Sequence, residues 1–237
     1  MTARSVVLSV LLGAHPASAT AAELIRLTAD FEIKETALRV ALTRLVAAGD
    51  LVRSASGYGL SERLLARQRR QDAALNPQAR HWGGAWLAVV ITSIGCDART
   101  RAALRAGLSE RRFAELREGF WMRPDNIDVE LGPDLSAHTR LLTARDERPA
   151  ELAAKLWDLD EWSRVGHELL TAMADAEDVP GRFMVAAAMV RHLRRDPVLP
   201  PELLPADWPG SQIRRRYGEF ADELTSRRDS ARPLVAT

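Results

Sequence analysis

A single cysteine, Cys96, stands in 237 residues, so neither a disulfide framework nor a cysteine-rich zinc cluster holds this chain together. No apolar run approaches the length of a membrane-spanning helix. Catalytic signatures are equally scarce. The sequence has no Ser-His-Asp grouping, no phosphate-cradling glycine loop and no paired carboxylates of catalytic type. His167 and His192 lack partners at metal-ligand spacing, so no metal and no cofactor are expected. What remains is ordinary globular composition, 46% hydrophobic and 27% charged, in a chain long enough for one large domain or two to three small ones.

The formal net charge of +1 conceals a gradient. Residues 1–80 carry eleven basic side chains against seven acidic ones, which leaves the remainder slightly acidic. A basic first third suggests a polyanionic partner for that part of the chain.

The opening "MTARSVVLSVLLGAHPASA" has the outline of a secretion signal, but it also fits a helix from Ala3 to Leu12 stopped at Gly13. The helix is the expectation, and a cytoplasmic protein with it. "TAAE" at Thr20–Glu23 has the pattern of a capping box opening a second helix. In "KETALRVALTRLVAAGDLV", residues 34–52, the 100° helical step puts Leu38, Ala41, Leu42, Leu45 and Ala48 on one face. Thr36, Arg39, Val40, Thr43 and Ala47 fall opposite, and Gly49 supplies the stop. "LVRSASGYGLS" then reads as two short strands around a turn.

Three helices followed by a hairpin make a winged helix-turn-helix, whose third helix enters the major groove. Small outward side chains let the backbone sink into the groove while Arg and Thr reach bases and phosphates. Arg39 is the candidate base reader and Val40 suits a thymine methyl. Lys34, Thr36, Thr43 and Arg44 complete the helix contacts, and Arg53, Ser54, Ser56 and Tyr58 those of the wing. Arg44 has an alternative use, an ion pair with Asp50.

The domain reading is a winged helix at 1–62, a basic helical connector at 63–80, and two further parts at 81–148 and 149–237. Arg67, Arg69 and Arg70 in the connector either track phosphates or form a solvated face. The run Leu87–Ile91 fits a strand covered on both sides. Alternating strands and helices over 81–148 suggest a ferredoxin-like α/β sandwich, the expected dimerisation element. The last part is helical, and its tail "DSARPLVAT" is expected to fray. The fold class is thus α+β.

"ALRVALTRLVAAGDLV", "LWDLDEW" and "RRDPVLPPELLPADWPG" resemble the PaaX family of transcriptional repressors, named for control of phenylacetic acid degradation operons. The resemblance runs from Arg4 to about Phe220. It implies a homodimer on an inverted-repeat operator of double-stranded DNA, released by a small effector such as phenylacetyl-coenzyme A or another acyl-coenzyme A. The chain departs from the family at Lys34, where serine is usual. Lysine cannot accept the free backbone N–H groups of a helix start, which weakens the cap by about 0.5–2 kcal/mol. The wing is also short and carries little positive charge.

For an effector, Arg191 with Arg194 or Arg195 suits a diphosphate, with His192 between them and Trp121 and Trp157 as aromatic lining. Helix-end charge and plain core are the competing roles of these residues. The alternative function is a metal-dependent nuclease or nucleic-acid-processing protein using the ferredoxin-like part. Its aspartate would be Asp97, which instead reads as a helix N-cap.

Overall fold

The computed structural model describes residues 1–229 apart from Ile94 and Cys96, so the expected fraying of the C-terminal tail falls outside the described residues. In chain order come α1 (Ala3–Gly13), β1 (Ser18–Ala19), α2 (Ala21–Leu27), a 3-10 turn (Ala29–Phe31), α3 (Glu35–Ala47), β2 (Leu51–Ser54), β3 (Gly57–Leu60) and α4 (Glu62–Leu75). Next are β4 (Trp86–Ile91), α5 (Ala98–Glu110), β5 (Ala114–Arg117), β6 (Phe120–Pro124), α6 (Gly132–Ser136) and β7 (Thr139–Ala144). The chain ends with α7 (Pro149–Leu156), α8 (Leu159–Asp175), α9 (Val179–Leu193), a second 3-10 turn (Pro201–Leu203) and α10 (Gly210–Asp229). The architecture is α+β, with antiparallel sheets ordered β1-β3-β2 and β5-β6-β4-β7. Among the described residues, no helix is long and apolar enough to cross a membrane.

Packing divides the chain differently from its linear order. Among the described residues, one unit holds 1–76, 166–194 and 211–229; the other holds 77–165 and 195–210. Residues 149–237, read from sequence as one helical part, are therefore shared between the two units.

In the first unit, Thr2 caps α1 and Thr20 caps α2. The Thr20 hydroxyl accepts from Glu23 N at 3.2 Å while the Glu23 carboxylate accepts from Thr20 N at 2.7 Å, the expected capping box. Leu38, Leu42 and Leu45 of α3 are 1% exposed and pack with Val7 and Leu11 of α1, Leu24 of α2, and Leu51 and Leu60 of the hairpin. Burial of each leucine contributes roughly 1.5–3 kcal/mol, which anchors α3 by its inner face. Gly49, at φ +69°, ends the helix as its position suggests. Gly57, at φ +127°, lets β3 run against β1, where an added Cβ would lie 2.5 Å from the Ala19 carbonyl oxygen.

The segment read as a basic connector is the amphipathic helix α4. Its inner face carries Leu64, Gln68 and Gln71, all buried. The Gln68 amide donates to the carbonyls of Leu12 at 3.2 Å and Ala14 at 2.9 Å, so α4 satisfies acceptors that α1 leaves open at its end. α9 and α10 pack in the same unit. Phe183 meets Phe31 edge-on at 5.0 Å, and Arg182 donates to both Glu223 carboxylate oxygens, at 2.6 and 3.0 Å.

In the second unit β4 is covered on both sides, as its unbroken apolar run suggests, whereas Leu141 and Leu142 of the edge strand β7 are exposed. Trp86 and Ala88 point to Met122, Leu152 and Leu199, while Val89 points to Trp121, Leu108 and Phe113. Arg123 lies in this core with no exposed surface. Its guanidinium donates to the carbonyls of Pro124 and Arg111 and to Asn126 Oδ1 at 2.9–3.1 Å. Burial, and then the nearby Arg112, push its pKa down to about 9, so it stays charged at neutral pH. Asn126 in turn donates to the Val198 carbonyl at 2.9 Å.

Candidate nucleic-acid interface

The outer face of α3 stands open. Thr36, Arg39, Val40, Thr43 and Arg44 are all exposed, and Val40 keeps half of its surface in solvent. An exposed valine amid polar side chains on an otherwise well-anchored helix is what a thymine methyl contact requires. Thr43 Oγ1 donates to the Arg39 carbonyl at 3.0 Å, so its hydroxyl hydrogen is engaged within the helix. Arg39 is held by Glu35, a pairing that the sequence reading did not include.

Lys34 stands at the N-cap of α3 and provides no side-chain cap. The N–H groups of the first turn therefore receive no acceptor from the N-cap side chain, and the lysine charge lies beside them.

The ion pair considered between Arg44 and Asp50 does not form. Asp50 is 5% exposed and is gripped from both sides, by Arg4 at 2.9 Å and by Arg63. These two arginines approach from α1 and α4, and their outer ends remain in solvent. Arg44, without an ion pair among the described residues, instead faces the groove between α1 and α3 together with Arg4, Thr36 and Val40. Arg4 thus joins the basic face of α3, and no local sequence signal could have announced it across forty positions.

On the hairpin, Arg53 is exposed and sits opposite Tyr58 in register. Ser54 Oγ and Ser56 Oγ lie 2.9 Å apart and tie the tip together. Tyr58 is half-buried against the core of the unit, so its ring supports the hairpin more than it projects from it. Val52, more than half exposed next to Arg53, is a second open apolar side chain that the sequence reading did not include, because strand alternation alone does not say which face is open. In α4, Arg69 is paired with Glu62 at 2.8 Å, and Arg67 and Arg70 point into solvent or toward a cavity.

The residues grouped for an effector are dispersed. Arg191 and Arg194 line one cavity in the first unit, while His192 is half-buried and does not line it. Arg195 belongs to the second unit. Trp121 is core on one side of the four-stranded sheet, with Arg105 over its ring at 5.7 Å. Trp157 stacks on Trp86 at 6.5 Å on the other side.

Asp97 caps α5, accepting from Thr100 N at 2.7 Å, and that hydrogen bond holds its carboxyl below the usual range. Among the described residues, no group of three His, Cys, Asp or Glu side chains is placed to hold a metal ion.

Residues 2–64 match the family model described as PaaX-like protein, and residues 151–232 match that of the PaaX-like protein C-terminal domain. The solved structure of the uncharacterized protein Rv0674 from Mycobacterium tuberculosis is 67% identical, over 97% of this chain and 98% of that one, with a TM-score of 0.88. No curated protein matches the sequence.

Proposed function

The chain belongs to the PaaX-like family, and from that premise we propose that it is a sequence-specific transcriptional repressor that binds an inverted-repeat DNA operator as a homodimer and leaves it on binding a small effector. In this reading α1, α2, α3 and the β2-β3 hairpin are a winged helix-turn-helix, with α3 in the major groove and Arg53 on a phosphate. The strand order β5-β6-β4-β7, with helices following β4 and β6 in the chain, supports a ferredoxin-like sandwich as the dimerising part. The effector is an acyl-coenzyme A thioester, phenylacetyl-coenzyme A among the first to try, and the protein works in the cytoplasm without catalysing a reaction. A nuclease reading has no support in the engaged Asp97.

One observation carries the proposal: α3 buries three leucines completely and offers Thr36, Arg39, Val40 and Thr43 together on the side away from them. Both requirements of a groove-reading helix, a fixed inner side and a small, donor-bearing outer side, are met by the same thirteen residues.

The test is selection of bound fragments from the parent genome, followed by titration of the enriched site. A single enriched sequence with two half-sites about one helical turn apart, bound by a dimer in sedimentation and released by a thioester, is the expected result. Uniform binding to all fragments would remove the reading.

A further inference from the structure

We infer that the cavity between α1, α4, α9 and α10 is a binding site for a compact apolar anion: one aromatic ring, or an aliphatic group of equal bulk, with a carboxylate or other anionic group beside it. The cavity measures about 160 Å³. A protein cavity of about 150 Å³ lined by similar side chains takes up benzene, so a single ring fits here. Its apolar walls include Val10 and Leu12 of α1, Phe183 and Val190 of α9, and Phe220 and Leu224 of α10.

Charge decides what must accompany the ring. Arg67, Arg191 and Arg194 line the same space, and no carboxylate does. Other arginines on these helices are paired, Arg69 with Glu62 and Arg182 with Glu223, while Arg70 is exposed. The three that line the cavity make no ion pair among the described residues. A cationic ligand would meet only repulsion, whereas an anion would gain charge-assisted hydrogen bonds. The Tyr217 hydroxyl accepts from Gln71 at 3.5 Å and retains its own hydrogen to donate. Burial raises this phenol above its ordinary range, so it remains a donor at neutral pH.

The α1 wall gives the site a consequence for DNA. Val10 and Leu12 face the cavity, while Val7 and Leu11 of the same helix pack with the leucines that seat α3. A ligand in the cavity therefore bears on the position of the groove-reading helix. This coupling rests on the regulator reading above; binding itself does not.

Calorimetric titration of the full chain with benzoate, with its coenzyme A thioester and with neutral benzyl alcohol tests the site. Benzoate or the thioester should bind once per chain. Arg191→Gln should weaken that binding about tenfold, and Ala187→Phe, which fills the cavity, should abolish it while thermal denaturation shows both variants folded. A tighter thioester assigns the anion to an acylated carrier and a tighter benzoate to a free acid; both support the site. Absence of binding by either anion at millimolar concentration, affinity unchanged in Ala187→Phe, or benzyl alcohol equal to benzoate would overturn it. Operator affinity measured on the same samples separates the two readings, because lost DNA binding with intact calorimetric binding strikes the regulator and spares the cavity.

Discussion

Arg39 donates twice, from Nε at 2.9 Å and Nη2 at 2.6 Å, to a single oxygen of Glu35 one turn earlier on α3. Both side chains are more than half exposed, so the pair adds little to stability, about 0.3–0.5 kcal/mol. In the repressor reading proposed above, the carboxylate orients the guanidinium toward a base and repels any phosphate that would take it. Arg39→Ala should cost about 1–3 kcal/mol on the operator and relax preference at one base pair. Glu35→Gln should strengthen binding to random duplex more than to operator, narrowing the ratio between them. Fluorescence anisotropy on both duplexes reads each change. Equal losses on both duplexes for Arg39→Ala would show that Arg39 does not read a base.

Lys34→Ser should raise stability by about 0.5–2 kcal/mol, because serine can accept the open N–H groups of α3. The same change removes a cation and should lower the slope of log affinity against log salt by about 1. A melt followed by circular dichroism and a salt series check the two parts separately.

Asp50→Asn should destabilise the first unit by about 1–3 kcal/mol, since a buried carboxylate that joins α1 to α4 loses its charge. The exposure of both arginines keeps the figure at the lower end of what buried pairs cost. Arg44→Ala should stay within about 0.5 kcal/mol of the parent. Similar melts for the two variants would contradict the assignment of Asp50 to Arg4 and Arg63.

Arg123→Met removes the donor for two carbonyls and the Asn126 amide oxygen and should cost about 2–4 kcal/mol. All six tryptophans lie in the same unit as Arg123, so their emission during urea unfolding follows the affected part of the chain. Arg123→Lys should rescue little, because one ammonium cannot span three acceptors in the guanidinium plane.

The Arg182 hydrogen bonds hold the Glu223 carboxyl below its ordinary range. A depressed carboxyl stabilises the fold fully above the unfolded-state value and loses that contribution as pH falls through the folded one. Acidification should therefore loosen α10 against α9, seen as lower amide protection factors along α10 once the intrinsic pH dependence of exchange is divided out. Glu223→Gln should make those protection factors independent of pH across the window.

Local signals were legible in the sequence where a single helix or turn decides the outcome. The Thr20 and Asp97 caps, the Gly49 stop and the two faces of α3 follow from spacing alone. Long-range choices were not legible. Nothing near Asp50 says that its charge belongs to Arg4 and Arg63 rather than Arg44, because the decision depends on where α1 and α4 lie. The short strand β5 escaped notice for a related reason: "AELR" acquires strand character only by pairing with β6. Arg191 and Arg194 could be paired by helical spacing, whereas Arg67 and Tyr217 join them only through the fold.

The contact of Gly57 with the Ala19 backbone sets the terms of any attempt to redesign operator choice. A library randomised over the hairpin should return functional clones with diverse residues at 54, 55 and 56 and glycine alone at 57, since even an alanine methyl would collide with main chain that has no room to retreat. Diversity for altered recognition therefore has to be placed in the loop tip and on α3, and the clones lost at position 57 would reflect misassembly, with no bearing on base preference.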